Sequence, residues 1–467
     1  MLNDIFEFDD LLLRALFILP AIVAGYLATT TSRTPQGAVG WIVLILAYPF
    51  VGVPAYALLG WANYAKFAER RRASDARLGE VDATPRDAPV PADRLDVFSR
   101  LSGNKIDAGC DMKLMVDGEA TFDVIEAVIR EAEHYVLVQF YTFADDEIGR
   151  RIQAACIERA KAGVQVFFLH DEMPLLGLPR HFMAELRSAG IQTARPKGPT
   201  RALGPFQLNY RNHRKLVVAD GTTALTGGLN CSKTYIGKSN YGPWRDTFAR
   251  VDGPVVDQLE RSFASDWAWA TGHDIRPILR PAPRAGDMRA VAVPIAPTDT
   301  LNTGNLYFIA LAQQARERLW IATPYFVPDS QVMAALQLAA LRGVDLRLLV
   351  PDRPDHRLPW WAAFSYFDEL RAAGGEIYRY TPAFMHSKVA LVDDDLSSVG
   401  SVNLDIRSGL LNFELTVIVE STEAAVEVEA MFLKDFENSY RLETSLSDQP
   451  AWRRILARIA RLAAPQL

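Results

Sequence analysis

Hydrophobic residues are distributed along this chain in two ways. Near the amino terminus they form unbroken stretches: residues 15–31 carry no charge, residues 34–65 carry none, and Trp41 to Leu59 is apolar enough to cross a bilayer. These stretches predict two helices turning at Ser32-Arg33-Thr34-Pro35. Pro49, Gly52 and Pro54 should bend the second helix, so a re-entrant segment is as open as a full crossing. From about residue 98 the apolar runs shorten and alternate with amphipathic helical patterns. Val164-Gln-Val-Phe-Phe-Leu169 and Val344-Asp-Leu-Arg-Leu-Leu-Val350 read as buried strands, which predicts α/β units around a largely parallel sheet.

The breaks in this pattern divide the chain. Residues 1–63 hold the two membrane helices, 64–97 read as a polar linker with Pro85, Pro89 and Pro91, 98–280 as a first α/β domain and 281–445 as a second. A Pro-rich stretch from Arg276 to Pro297 joins the halves. Residues 446–467 form a basic amphipathic helix with Trp452, Ile455, Leu456 and Ile459 on one face. That helix either lies on an anionic membrane surface or packs on its own domain with a solvated basic face.

Charge adds direction. Lys66, Arg70, Arg71, Arg72 and Arg77 follow the second apolar stretch, against Arg33 alone between the two, which puts the bulk of the chain on the cytoplasmic side. Asp4, Glu7, Asp9 and Asp10 stand where a cleaved leader would be positive. Three scattered cysteines suggest no disulfide framework, and a net charge of -6 argues against a nucleic-acid partner held by bulk charge.

The chemistry is written twice. His213-Arg-Lys215 with Asp220 recurs as His386-Ser-Lys388 with Asp393. Each copy is followed by a glycine-led element, Gly227-Gly228-Leu229-Asn230 or Gly400-Ser401-Val402-Asn403, and the His-to-Asn separation is 17 in both. Ala132 to Phe143 can also be laid against Ala315 to Phe326, and Glu185-Leu-Arg-Ser-Ala-Gly190 against Glu369-Leu-Arg-Ala-Ala-Gly374, so a whole domain is duplicated. Positions i and i+2 share a strand face, so each His and its Lys point the same way. Asp220 and Asp393 have the opposite parity and close the strand, which reads as scaffold rather than proton transfer.

Two imidazoles, two ammonium groups and two carboxamides can attack a phosphodiester without a metal or other cofactor. A neutral His forms a covalent phospho-enzyme, the other His protonates the departing alcohol, and Lys215, Lys388, Asn230 and Asn403 hold the non-bridging oxygens. A nucleophilic imidazole needs its other nitrogen aimed by a carboxylate. Asp246 and Glu414, each at the start of an apolar strand, are the candidates.

With these motifs the chain resembles the phospholipase D superfamily and, within it, the bacterial cardiolipin synthases. The resembling segments are Asp117-Gly-Glu, Tyr210 to Lys215, Trp244-Arg-Asp246, Ile321 to Asp329, and Gly400 to Ser408 running on to Glu414. The resemblance implies two similar phospholipase D-like α/β domains with one active site at their interface, preceded by the transmembrane hairpin, in a bacterial inner membrane. It implies that His213, Lys215, Asp220, His386, Lys388 and Asp393 are the catalytic motif. It also implies transfer of a phosphatidyl group between two phosphatidylglycerol molecules, with a phosphatidyl-histidine at His213 and His386 as acid and base. Hydrolysis of a phospholipid by the same residues is the alternative. Gln139, Cys231-Ser232-Lys233-Thr234-Tyr235 and His170-Asp171-Glu172-Met173-Pro174 depart from the usual pattern, which leaves the acceptor open.

Overall fold

The computed structural model describes residues 18–30, 35–59, 64–79, 93–171, 178–196, 209–239, 242 and 244–464. The chain divides into two compact units, Met1–Ser74 with Gly198–Gln207, and Asp75–Lys197 with Leu208–Leu467. Both α/β domains and the carboxy-terminal helix therefore fall in one compact unit.

In the first unit, residues 18–30 are helical, followed by helices Pro35–Ala47 and Pro49–Leu59. The second apolar stretch breaks at Tyr48, where Pro49 has no N–H for the next helical hydrogen bond. Its two helices fold back on each other, bringing the Trp41 and Tyr56 rings edge to face with centroids 5.3 Å apart. Gly52 sits so close to the preceding helix that a β-carbon would lie 2.7 Å from the Ile45 Cα. Ala24, Ala28, Ile45 and Tyr56 form a small core, while Ile18, Leu19, Ile22, Tyr26, Val43, Leu46 and Phe50 remain exposed. Among the described residues no helix is long and apolar enough to cross a membrane. The expected turn at Ser32-Arg33-Thr34 lies outside the described residues.

Part of the expected linker is helical. Tyr64–Arg77 forms a helix, since Lys-Phe-Ala-Glu-Arg-Arg-Arg-Ala contains no Gly or Pro, and Asp96–Ser102 forms another. Pro85, Pro89 and Pro91 lie outside the described residues.

In the second unit a fifteen-stranded sheet runs through both halves. Outward from its middle, the first half contributes Asp107–Val116, Thr247–Asp252, Thr223–Gly227, Leu216–Ala219, Tyr135–Phe140, Gln165–His170 and Gln192–Ala194. The second repeats that order with Met288–Ile295, Glu414–Glu420, Leu396–Gly400, Val389–Val392, Arg318–Ala322, Asp345–Pro351 and Glu376–Tyr380, and adds Ser439–Arg441. The halves join where Asp107 pairs with Ala290 in antiparallel register. Part of the Pro-rich stretch is thus a strand, because Met288-Arg-Ala-Val-Ala-Val-Pro-Ile295 is an apolar run buried on both faces, with Val291, Val293 and Ile295 in one core and Met288, Ala290 and Ala292 in another.

The expectation of a largely parallel sheet holds only for three strands toward the outside of each half; the edge strand Ser439–Arg441 pairs antiparallel. Tyr135–Phe140, Gln165–His170 and Gln192–Ala194 are parallel, but the pairs nearer the middle are antiparallel. The link from Leu216–Ala219 to Thr223–Gly227 has room only for a tight turn, whereas a parallel partner needs a long crossover. Each half has its own core, one around Phe122, Phe140, Phe168 and Phe182, the other around Phe326, Leu336, Phe367 and Leu348. A third core joins Phe263 and Trp267 to Trp320, Phe432 and Phe436, so the halves are fused by buried side chains as well as by the sheet.

Candidate active site

The His-x-Lys segments do not lie within ladder strands. The strands start one residue later, at Leu216 and Val389, leaving the preceding backbone free to bond across the molecule. The His213 N–H donates to the Phe413 carbonyl at 2.8 Å and the His386 N–H to the Arg245 carbonyl at 2.7 Å. Short parallel bridges, Asn212 with Phe413 and Arg245 with Met385, complete this two-fold exchange. In each case the accepting residue directly precedes an acid, Glu414 or Asp246. Each histidine backbone is therefore registered against the carboxylate of the opposite half.

The side chains follow the same crossing. His213 Nδ1 lies 2.8 Å from Glu414 Oε2, and His386 Nδ1 lies 2.6 Å from Asp246 Oδ2. Both carboxylates are fully buried and both histidines nearly so. An acceptor this close assigns the proton to Nδ1 and leaves Nε2 with its lone pair. Ser401 Oγ donates to Glu414 Oε2 at 2.6 Å and Asn412 Nδ2 to Oε1 at 3.2 Å, while the Thr247 N–H donates to Asp246 Oδ1 at 2.7 Å. The Lys215 ammonium donates to the His213 carbonyl at 2.6 Å, and Lys388 to the His386 carbonyl. Lys388 Nζ also lies 2.9 Å from His386 Nδ1. Tyr141 packs edge-on against His213, and Trp244 and Phe384 flank His386.

Burial dominates the titration of these groups. It drives the His213 imidazole down to about 4 against the pull of Glu414, and with repulsion from Lys388, Lys215 and His213 holds His386 well below its ordinary value. Burial lowers Lys388 to about 8 and holds Lys215 well below the usual lysine range. It lifts Asp246 to about 6 against the nearby Lys388. For Glu414 burial also pushes upward, but His213, Lys215 and Ser401 outweigh it and keep the carboxyl below its ordinary value. Burial thus favours the neutral form of both imidazoles. The cations and imidazoles of the two halves shift one another's titration, so the two motifs lie near each other.

Asp220 and Asp393 follow the strands Leu216–Ala219 and Val389–Val392, which the His-x-Lys segments precede. Each takes a left-handed backbone, φ 54° and 52°, at the far end of its strand. Asp220 accepts the N–H groups of Glu133, His134 and Tyr135, and Asp393 those of Arg316, Glu317 and Arg318. They tie the turn to the start of the neighbouring strand. Asn230 donates to the Tyr235 hydroxyl at 3.2 Å, which in turn lies 3.4 Å from His386 Nδ1. Asn403 is buried with its carboxamide oxygen unpartnered. Cys231 points into the first core, where burial pushes its thiol well up, so it is unsuited to chemistry beside Asn230. Gln139 donates to Asn212 and Asp266 beneath the site.

Motif reading missed several partners: Ser401 and Asn412 on Glu414, Tyr235 on His386, and Gly228. A β-carbon on Gly228 would lie 2.1 Å from Asp246 Oδ1, so the glycine exists to admit the carboxylate. The Gly-Gly against Gly-Ser difference between the copies was the available signal.

A family model described as "Cardiolipin synthase, PLD-like domain" matches residues 125–267 and 308–436. The chain is 40% identical over 462 residues to "Cardiolipin synthase A" of Pseudomonas aeruginosa (strain LESB58), covering 95% of this chain and 94% of that protein. It is 38% identical over 470 residues to the "Cardiolipin synthase A" of Pseudomonas putida (strain GB-1), covering 97% and 98%. Among solved structures it resembles phosphatidylserine synthase from Haemophilus influenzae Rd KW20, with a TM-score of 0.59 over 76% of this chain and 95% of that one. At 16% identity that likeness is one of fold.

Proposed function

The chain belongs to the cardiolipin synthases of the phospholipase D superfamily, and from that membership we propose that it joins two phosphatidylglycerol molecules into cardiolipin through a covalent phosphatidyl-histidine. It is a phosphatidyltransferase; the two substrates and the intermediate are the proposal. The observation that carries it is the crossed pairing of His213 with Glu414 and His386 with Asp246.

The steps use only this chain's groups. The anionic phosphodiester enters beside Lys215, Lys388, Asn230 and Asn403, and its charge raises the proton affinity of His386. Nε2 of His213 attacks phosphorus, the bond from phosphorus to the glycerol headgroup breaks, and His386 gives its proton to the departing alkoxide. Glu414 stabilises the charge that develops on His213. A headgroup hydroxyl of a second phosphatidylglycerol then attacks phosphorus, His386 takes its proton, and the phosphorus–nitrogen bond breaks. One phosphodiester is exchanged for another, so no nucleotide is consumed.

The amino-terminal helices embed in the membrane that supplies both lipids. Helices of 13 and 11 residues measure roughly 20 and 17 Å at 1.5 Å per residue, short of the roughly 30 Å hydrocarbon core, so the folded-back pair enters and leaves by one face. Both ends of that pair then lie on one face, and the basic cluster Lys66 to Arg77 makes it the cytoplasmic one.

Purified protein given phosphatidylglycerol labelled in its headgroup glycerol should release glycerol and form cardiolipin in equal amounts. Phosphatidic acid with little cardiolipin would instead identify a hydrolase. Because a phosphorus–nitrogen bond is labile in acid and stable in base, denaturing lipid-phosphorus-labelled enzyme at alkaline pH should leave label on His213.

A further inference from the structure

The carboxy-terminal helix Ala451–Leu462 carries three distinct faces. Ala457, Ala460 and Ala464 are buried against the rest of the unit, and Arg461 is fixed by an ion pair with Glu369 and a bond to the Ser365 carbonyl. The small face therefore holds the helix in place. Its large apolar residues point outward: Trp452, Ile455, Ile459 and Leu462 are 58%, 58%, 57% and 81% exposed. At 100° per residue these four span an arc of about 80°, which exposed Leu456 widens to about 120°, with exposed Arg453 beyond Leu456 on one side and exposed Arg458 beyond Leu462 on the other. Exposed Leu358 and the half-buried Trp361, whose ring meets Trp452, extend the strip.

We propose that this helix docks flat on an anionic bilayer surface, sinking Trp452, Ile455, Ile459 and Leu462 into the acyl boundary while Arg453 and Arg458 meet lipid phosphates. A globular protein seldom leaves such a strip uncovered, and packing into its own unit has already been met by the alanine face. Charge selects the occupant. The chain as a whole is acidic, yet this helix has four arginines and no acid. A second copy seated on the strip would bring like arginine rows together, whereas anionic lipid neutralises them. The location has a use: Arg458 and Arg461 line a cavity of about 600 Å³ together with Ile406, which follows Asn403 by three residues. A docked helix holds the bilayer surface beside the second-half motif. The inference shares with the proposed function only that the lipid is anionic and membranous.

The test uses the full chain in nanodiscs. The three native cysteines are buried, so an environment-sensitive fluorophore on Ile459→Cys reports this face. In discs containing phosphatidylglycerol its emission should shift to the blue and rise roughly twofold or more, but not in phosphatidylcholine discs or with Arg453→Glu/Arg458→Glu. Arg453→Lys/Arg458→Lys should retain the shift. No shift in either lipid, an equal shift in both, or a shift in detergent that grows with protein concentration and marks self-association would each overturn the proposal. Because the probe reads docking and not turnover, an undocked helix on an active enzyme sinks this inference alone. Docking without cardiolipin formation sinks the proposed function alone.

Discussion

Asp246 is one methylene shorter than Glu414, and the backbone facing each carboxylate differs to match. Opposite Asp246 stands Gly228, with no side chain; opposite Glu414 stands Ser401, whose hydroxyl donates to it. Gly228→Ala should displace the Asp246 carboxylate from His386 and lower kcat on the order of 10²-fold, the scale of a positioned acid–base group. Steady-state kinetics check this, and an alanine variant with normal kcat would contradict it. The shifted groups also set a pH range. Lys388, lowered to about 8, loses its charge as pH rises through that value. Asp246, raised to about 6, loses its charge as pH falls through that one. Activity should therefore peak between, with apparent values that belong to the coupled set. A flat rate from pH 5.5 to 9 would contradict this reading.

At the scale of elements, the strand turns depend on Asp220 and Asp393. Asp220→Ala removes the acceptor for three backbone N–H groups and should cost about 1–3 kcal/mol of stability while leaving kcat within about twofold. Denaturant unfolding beside kinetics separates the two, and a lost kcat at unchanged stability would return Asp220 to the catalytic set. The separation of each Asp from its His and Lys was foreshadowed by i and i+2 parity, although the His-x-Lys segments precede their strands rather than lie in them. The duplication was legible from the twin motifs, and Asp246 and Glu414 from their cost at the head of apolar strands. The crossing was not legible: a local pattern says which face a side chain takes, not which distant segment comes to meet it. Nor was the antiparallel pairing near the middle, because a doubly buried strand reads the same in either direction. The break at Tyr48 was foreshadowed by Pro49 and Gly52, but the return of Tyr56 onto Trp41 is a packing result.

Over the whole molecule, the continuous sheet and the shared core around Phe263, Trp267, Trp320 and Phe432 make the two halves one body. Arg245 and Asp435 add a buried ion pair between the halves, at 2.8 Å. Calorimetry of the catalytic unit should show one cooperative transition, and two separated transitions would show halves that fold independently. Fusion serves the chemistry, since neither half holds a histidine together with its own carboxylate. The most direct test is the rate of cardiolipin formation by His213→Ala and His386→Ala, measured separately and then mixed. The shared-site account predicts background rates in each and in the mixture. About half the normal rate surviving in either variant alone would show two autonomous sites and contradict it.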